Sequence, residues 1–370
     1  MPKYREIYLE KDLTLPDSGS KIIELAVVDP ISELYIKFYA TNGATSNKAN
    51  PPTRCITKIE IYDGADKLFS MDGRLAHALG YYRSKIIPML TFTEPANYVQ
   101  SVHIPIKFGR HLWDPLLALV PQAFRNLQLK ITWNLAEVNA VGATGFVTGS
   151  GKLTVIAKVM EGLEAAPGAF IMSKDHYSFT TAASGEERVA LPTDFPYMDL
   201  MVRSFETAVD ITSSITNLKL SQDFDKDIPF DFSTVDIKGR MIENFGEFTL
   251  PIFALSDDNE SHESFVGIES NISAVSASND VIVSCTSLAA GKYTLRQMSS
   301  ATAAVNGNSV FVRVVGQALW NCLYHGFGIL SDITSYLMAP ESGDIKLHIT
   351  QGNAGAETNV VLGQLRSYVK

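Results

Sequence analysis

Only three cysteines, Cys55, Cys285 and Cys322, are spread along the 370 residues, an odd number at wide spacing within apolar, strand-like surroundings. A disulfide framework needs paired cysteines at closer intervals, so three reduced and buried thiols are expected. Long apolar runs are also missing. Uninterrupted stretches such as Leu25–Val28 and Leu116–Val120 fall far short of the ~20 residues that cross a bilayer as a helix. Basic charge is scarce too: 31 Lys and Arg stand against 40 Asp and Glu, a formal net charge of −9. That balance argues against a broad basic face for nucleic acid, so any such contact would be local or indirect and no sequence-specific nucleic-acid partner is expected. The start, Met1-Pro-Lys-Tyr-Arg-Glu-Ile-Tyr8, has no apolar stretch after its basic residues, unlike a secretory signal, so synthesis in a cytoplasm is expected.

The chain does have ample material for a core, with 46% hydrophobic and 19% charged residues. Its length suits two domains of roughly 100–200 residues each. Apolar and polar residues alternate, as in half-buried strands, over Ser32–Phe38, Thr57–Tyr62, Asn126–Trp133, Lys152–Val159, Ile215–Leu220, Val310–Val315 and Asp344–Thr350. Turn-forming clusters lie between them, among them Asp63-Gly64-Ala65-Asp66, Thr148-Gly149-Ser150-Gly151 and Asn306-Gly307-Asn308. Many short strands with polar turns indicate sandwiches or barrels. Helical signals are few, and two segments are read as helices. Leu75, Leu79, Tyr82 and Ile86 predict a helix over Asp72–Ile86 with Asp72 as its cap. A shorter one is expected over Asp114–Phe124, where Pro115 follows a capping Asp114. Both are expected as insertions between strands.

A faint internal repeat organises these segments. Phe108-Gly109 is followed by eleven residues, Pro121, five more residues and the strand Leu127–Thr132. Phe327-Gly328 is followed by eleven residues, Pro340, four more and Ile345–Thr350. One further alternating strand closes each copy, Lys152–Val159 and Asn359–Tyr368. Upstream, Arg54–Ile61 faces Ser213–Leu220, each before an Asp-containing turn. Short alternating strands resemble one another whatever their ancestry, so chance is the alternative to duplication. Taken as a duplication, the pattern gives a first unit over 1–165 and a second over 166–370, with the seam in the Gly/Ala/Pro-containing stretch Glu161–Gly168.

Each stretch that resembles a chemical motif has a plainer reading. Gly145–Lys152 departs from the Walker phosphate loop, with Phe146 where glycine and Leu153 where Ser or Thr is required, and reads as a turn into a strand. Asp223, Asp225 and Asp227 alternate like calcium ligands, but Ile228 and Thr234 stand where an EF-hand needs Gly and Glu. A solvated turn is the simpler reading, with a looser divalent-ion site including Asp231 left open. His77, His103, His111, His176, His262, His325 and His348 never fall at zinc-site spacing. Cys322 and His325 are three apart in a strand pattern and so point to opposite faces, against a nucleophile–base dyad. Serine-elbow, zinc-protease and dinucleotide motifs are absent. Asn259-Glu-Ser261 and Asn271-Ile-Ser273 match glycosylation acceptors but read as coincidence without a signal peptide. No catalytic, cofactor-binding or metal-ligating residue is assigned.

Val102-His-Ile-Pro-Ile-Lys-Phe-Gly-Arg110, then Leu116-Leu-Ala-Leu-Val-Pro121 and Leu127-Gln-Leu-Lys-Ile131, together with the doubled unit, resemble the double jelly-roll major capsid proteins of tailless icosahedral DNA viruses. That family has an Ile-Pro-x-x-Phe strand, an apolar Leu-Pro-Leu segment and a following strand. Here Leu117-Ala118 stands where the family often has proline, and Pro115 precedes. The resemblance implies an all-β fold of two tandem eight-stranded antiparallel jelly rolls with short inserted helices. It also implies a non-enzymatic subunit that forms pseudo-hexameric homotrimers tiling an icosahedral virion shell, without a cofactor. Its partners would be copies of itself, minor capsid and vertex proteins, and an inner viral membrane where one is present. Thr41–Thr53 and Ser256–Val281 are the expected outward or lateral loops. A glycan-binding or adhesive tandem sandwich and a two-jelly-roll hydrolase are the alternatives; the hydrolase would need convergent carboxylates in a cleft.

Overall fold

Strand alternation sets the architecture. In Leu127–Asn134 every second residue is buried, placing Leu127, Leu129, Ile131 and Trp133 on the core face and Gln128, Lys130 and Thr132 on the other. The computed structural model describes residues 2–44, 50–138, 145–206, 209–256, 260–263, 266–276, 282–289, 292–298 and 308–368. Up to Glu161 the elements are β1 (Lys3–Thr14), β2 (Ser18–Glu24), β3 (Ile31–Thr41), β4 (Ile56–Asp63), β5 (Asp66–Met71), α1 (Gly73–Ser84), β6 (Leu90–Thr93), β7 (Val99–Lys107), β8 (Leu127–Asn134) and β9 (Lys152–Glu161). From Ala169 they are β10 (Ala169–Thr180), β11 (Gly185–Ala190), β12 (Tyr197–Phe205), α2 (Ile211–Ser214), β13 (Ile215–Gln222), β14 (Asp227–Ser233), α3 (Thr234–Phe245) and β15 (Phe248–Ser256). There follow β16 (Glu260–Glu263), β17 (Val266–Ser276), β18 (Ile282–Ala289), β19 (Lys292–Met298), β20 (Asn308–Leu319), β21 (Cys322–Gly326), β22 (Ile345–Gln351) and β23 (Glu357–Ser367).

The same sheet order occurs twice. β1-β9-β3-β7 and β2-β8-β4-β5 in the first half are matched by β10-β23-β12-β21 and β11-β22-β13-β14 in the second. Each half is thus an eight-stranded jelly roll, and in each a helix, α1 or α3, follows the hairpin that ends one sheet. Two parallel contacts carry the sheets across the seam. Ser173 and Lys174 of β10 pair with Phe69 and Ser70 of β5, and Ile252 and Phe253 of β15 pair with Phe92 and Thr93 of β6. One large hydrophobic core cluster runs from Ile31 and Phe38 in the first roll to Val360 and Leu362 in the second, beside a smaller one of Leu117, Ala169, Ile171, Met198 and Tyr336.

Helix α1 is more deeply buried than an insertion would be. Asp72 caps it by accepting from Leu75 N at 2.8 Å, and nine of its residues are buried. Gly80 permits close packing on β7, since a Cβ there would lie 2.9 Å from Pro105 Cγ of the Ile-Pro-x-x-Phe motif. The helix stops at Ser84 because Lys85 turns left-handed at φ 59°, which leaves Ile86 outside it and 73% exposed.

The helix expected over Asp114–Phe124 does not form; only Pro121–Ala123 makes a 3-10 turn. The backbone of that segment is bonded elsewhere: Leu119 exchanges both hydrogen bonds with Ile31, at 2.9 and 2.7 Å, and Ala118 N donates to Ala169 O at 3.1 Å. Asp114, expected as a cap, does accept from Leu116 N at 3.1 Å, but it also holds the Arg110 guanidinium at 2.6 and 2.8 Å and no helix follows it. The segment Ser256–Val281, expected as a loop, holds β16 and β17, because its Ser- and Asn-rich face alternates with half-buried Ile272 and Ala274 paired along β20. Residues 45–49 of the Thr41–Thr53 loop, Asn259 of the first glycosylation match, and Asn306 and Gly307 of the predicted turn lie outside the described residues.

Candidate functional site: the buried seam

Charged and aromatic groups gather where α1 meets the second roll. β12 is buried along nearly its whole length, so its polar residues must be paired. Asp199 accepts from Arg83 Nε at 2.8 Å and Nη2 at 2.9 Å, and takes a third bond from the Tyr324 hydroxyl at 3.0 Å. Arg83 Nη2 also donates to Ser173 Oγ at 2.9 Å. Burial opposes the Arg83 charge, but Asp199 outweighs it and holds the guanidinium above its ordinary value. Burial, then Asp199, pushes the Tyr324 hydroxyl well above the ordinary tyrosine range, so it stays a donor.

Aromatic side chains wrap this pair. Tyr82 stacks on Tyr324 with ring centres 4.9 Å apart, its hydroxyl donates to Cys322 O at 2.8 Å, and Phe245 of α3 meets both rings edge-on. Next to it, Trp320 Nε1 donates to His77 Nδ1 at 3.1 Å while His77 Nε2 lies 3.1 Å from Pro88 O. That arrangement needs neutral His77 with its proton on Nε2, and burial holds its pKa down at about 4. A second charged group joins the halves lower down. Asp72 binds Arg74, Glu357 lies 3.8 Å from Arg74 and 3.2 Å from Arg203, and Arg203 is 2% exposed. Close by, burial raises the carboxyl of Asp175 to about 6.

The sequence-level candidates are dispersed. Cys322 is buried with its thiol directed to Trp320 O at 3.6 Å, and burial pushes it up to about 12. His325 packs between Phe230 and Phe327, held down at about 4 by burial and then by Arg240. Both shifts run against a thiolate–imidazole dyad. Asp223 accepts from Gly343 N at 2.7 Å, Asp225 pairs with Lys219 at 2.7 Å, and Asp231 accepts from Asn217 at 2.7 Å. Among the described residues no group of three or more His, Cys, Asp or Glu side chains is placed to hold a metal ion. Cys55 and Cys322 are buried free thiols, as expected, whereas Cys285 is only half-buried. His103 and His348 sit in strands, against Tyr35 and Glu186, and His262 meets Glu94 at 3.0 Å in a buried pair across the seam. No helix among the described residues is long and apolar enough to cross a membrane.

Sequence reading missed the seam because its partners are distant: Arg83 and Asp199 are 116 residues apart. It also missed α3, whose signal was present. Ser233 caps it and bonds Asp236 reciprocally, and Ile237, Met241 and Phe245 recur every fourth residue.

No family model and no curated protein matches the chain. Solved structures do. The major capsid protein of Sulfolobus turreted icosahedral virus aligns at a TM-score of 0.60 and 10% identity, over 99% of this chain and 97% of that one. The PBCV-1 virus capsid aligns at 0.57 and 8% identity, over 99% and 94%. The major capsid protein of bacteriophage PM2 aligns at 0.53 and 10% identity, over 99% and 98%. Likeness of this extent, end to end and with both rolls included, gives the chain the double jelly-roll fold that these viral major capsid proteins share.

Proposed function

We propose that this chain is a major capsid protein, a structural and non-enzymatic subunit of an icosahedral virion shell. The observation that carries the reading is the doubled sheet order, which spans nearly the whole chain and aligns over 99% of it with viral capsid proteins. Two upright rolls per chain give a homotrimer six similar columns, so a three-fold object can occupy hexagonal lattice positions. The rolls are taken as 1–165 and 166–370. A buried ion pair and a shared core at the seam suit this use, because six columns pack regularly only if the two rolls of each chain keep a fixed relative position. The subunit is synthesised in a host cytoplasm, and its partners are neighbouring trimers, minor capsid and vertex proteins, and any membrane beneath the shell.

Light scattering on purified protein tests the proposal, followed by negative-stain imaging at raised concentration. A species of three chains with a pseudo-hexagonal outline or shell-like products is expected. A monomer that never forms trimers or lattices would overturn it.

A further inference from the structure

Arg54, Arg74, Arg203, Phe205, Trp320 and Asn321 surround a cavity of about 20 Å³ where the two halves meet. Three N–H groups of its lining residues have no hydrogen-bond partner among the described residues: Arg74 Nη1, Arg203 Nε and Asn321 Nδ2. Arg203 and Asn321 are 2% and 1% exposed, so bulk water does not serve them. The neighbouring acids are engaged with other nitrogens. Asp72 Oδ2 takes Arg74 Nε and Nη2, Glu357 takes Arg203 Nη1, and Glu137 faces Arg54 at 3.8 Å. Among the described residues no carboxylate lines the cavity.

Unpartnered donors on three residues that line one space ask for an acceptor. A water molecule accepts at most two good bonds and brings two O–H groups of its own toward guanidiniums that cannot accept them. An anion can accept from all three, and it adds to the charge that Asp72 and Glu357 already set against the two guanidiniums. A space of this size has room for about one water-sized particle, which suits a halide better than a phosphate. Burial, then the charge of Arg74, already lowers the Arg203 pKa, the strain that a nearby anion relieves.

We infer that this cavity is a binding site for one small monovalent anion of the chloride class, joining Arg74 at the start of α1 to Arg203 of β12 and Asn321 of the β20–β21 turn. The site is independent of the assembly reading. It stabilises the seam by mass action, since the unfolded chain has no such site.

Two measurements on the full chain test it. Crystals grown with bromide in place of chloride should give an anomalous peak within hydrogen-bond reach of the three nitrogens. In solution, the protein should melt about 2–5 °C higher in sodium chloride than in sodium gluconate of equal ionic strength, gluconate being too large to enter. Asn321→Asp places a fixed carboxylate in the cavity, and Asp tolerates the left-handed backbone that Asn321 adopts at φ 58°. This variant should lose the chloride preference and melt no lower than wild type in gluconate. A cavity with water density and no anomalous signal overturns the assignment, and so does a chloride preference that survives unchanged in Asn321→Asp.

Discussion

Arg83 on α1 and Asp199 on β12 form a bidentate ion pair with side chains only 5% and 2% exposed, tying the two jelly rolls together from within. A pair so far from water is stabilising only while both members are present, because either one alone is a buried, unbalanced charge.

Arg83→Ala is therefore expected to destabilise the protein by about 3–5 kcal/mol, read from the midpoint of a urea transition. The double change Arg83→Met with Asp199→Leu should recover part of that loss. A single variant within about 1 kcal/mol of wild type would mean that water reaches the pair.

Gly363 of β23 lies against this pair, and a Cβ there would fall on Asp199 Oδ1, with Arg83 Nη2 2.5 Å away. Neither neighbour can move without breaking the bidentate contact. Gly363→Ala should cost about 1–3 kcal/mol, despite alanine being the better strand residue in isolation, as measured by the same urea titration.

Acid should loosen the seam. His77 and His325 are both held at about 4, well below the ordinary histidine value, so between there and about pH 6.5 the unfolded chain binds more protons than the folded one. Stability from these groups is complete above pH 6.5 and declines as pH falls toward 4. Asp175, raised to about 6, works in the opposite direction: its penalty is present at neutral pH and fades as pH falls through 6 toward 4. With two histidines against one carboxyl, the melting temperature should drop from pH 7 to pH 4. His325→Phe, which suits the surrounding Phe230 and Phe327, should flatten the slope, and Asp175→Asn should steepen it.

The two helix caps should differ in cost. Ser233 caps α3 from the half-buried end of β14 and binds no buried charge, and Ser233→Ala should cost about 1 kcal/mol. Asp72 caps α1 and also binds Arg74, so Asp72→Ala should cost more, about 2–4 kcal/mol, because it leaves a buried guanidinium short of its partner. Equal losses from thermal melts of the two variants would refute this.

Local periodicity by itself determined much of this protein. Alternation over Leu127–Asn134 and its counterpart Ile345–Gln351 specifies strands because the pleat sends every second side chain to the core, and four-residue recurrence after Asp72 specifies a helix. The Phe-Gly, Pro and strand recurrence likewise reflected the doubled sheet order. Tertiary structure decided what depends on partners remote in the chain. Asp114 and Pro115 read as a helix start, yet Leu119 is claimed by Ile31 and Asp114 by Arg110, and those bonds replace the helical ones. The polar stretch through Asn271 and Ser273 became a strand because β20 supplied its hydrogen bonds. The seam could arise only in three dimensions: Arg83 and Asp199 are ordinary surface-type residues until folding removes water from both, and the energy of a charge pair is set by that removal.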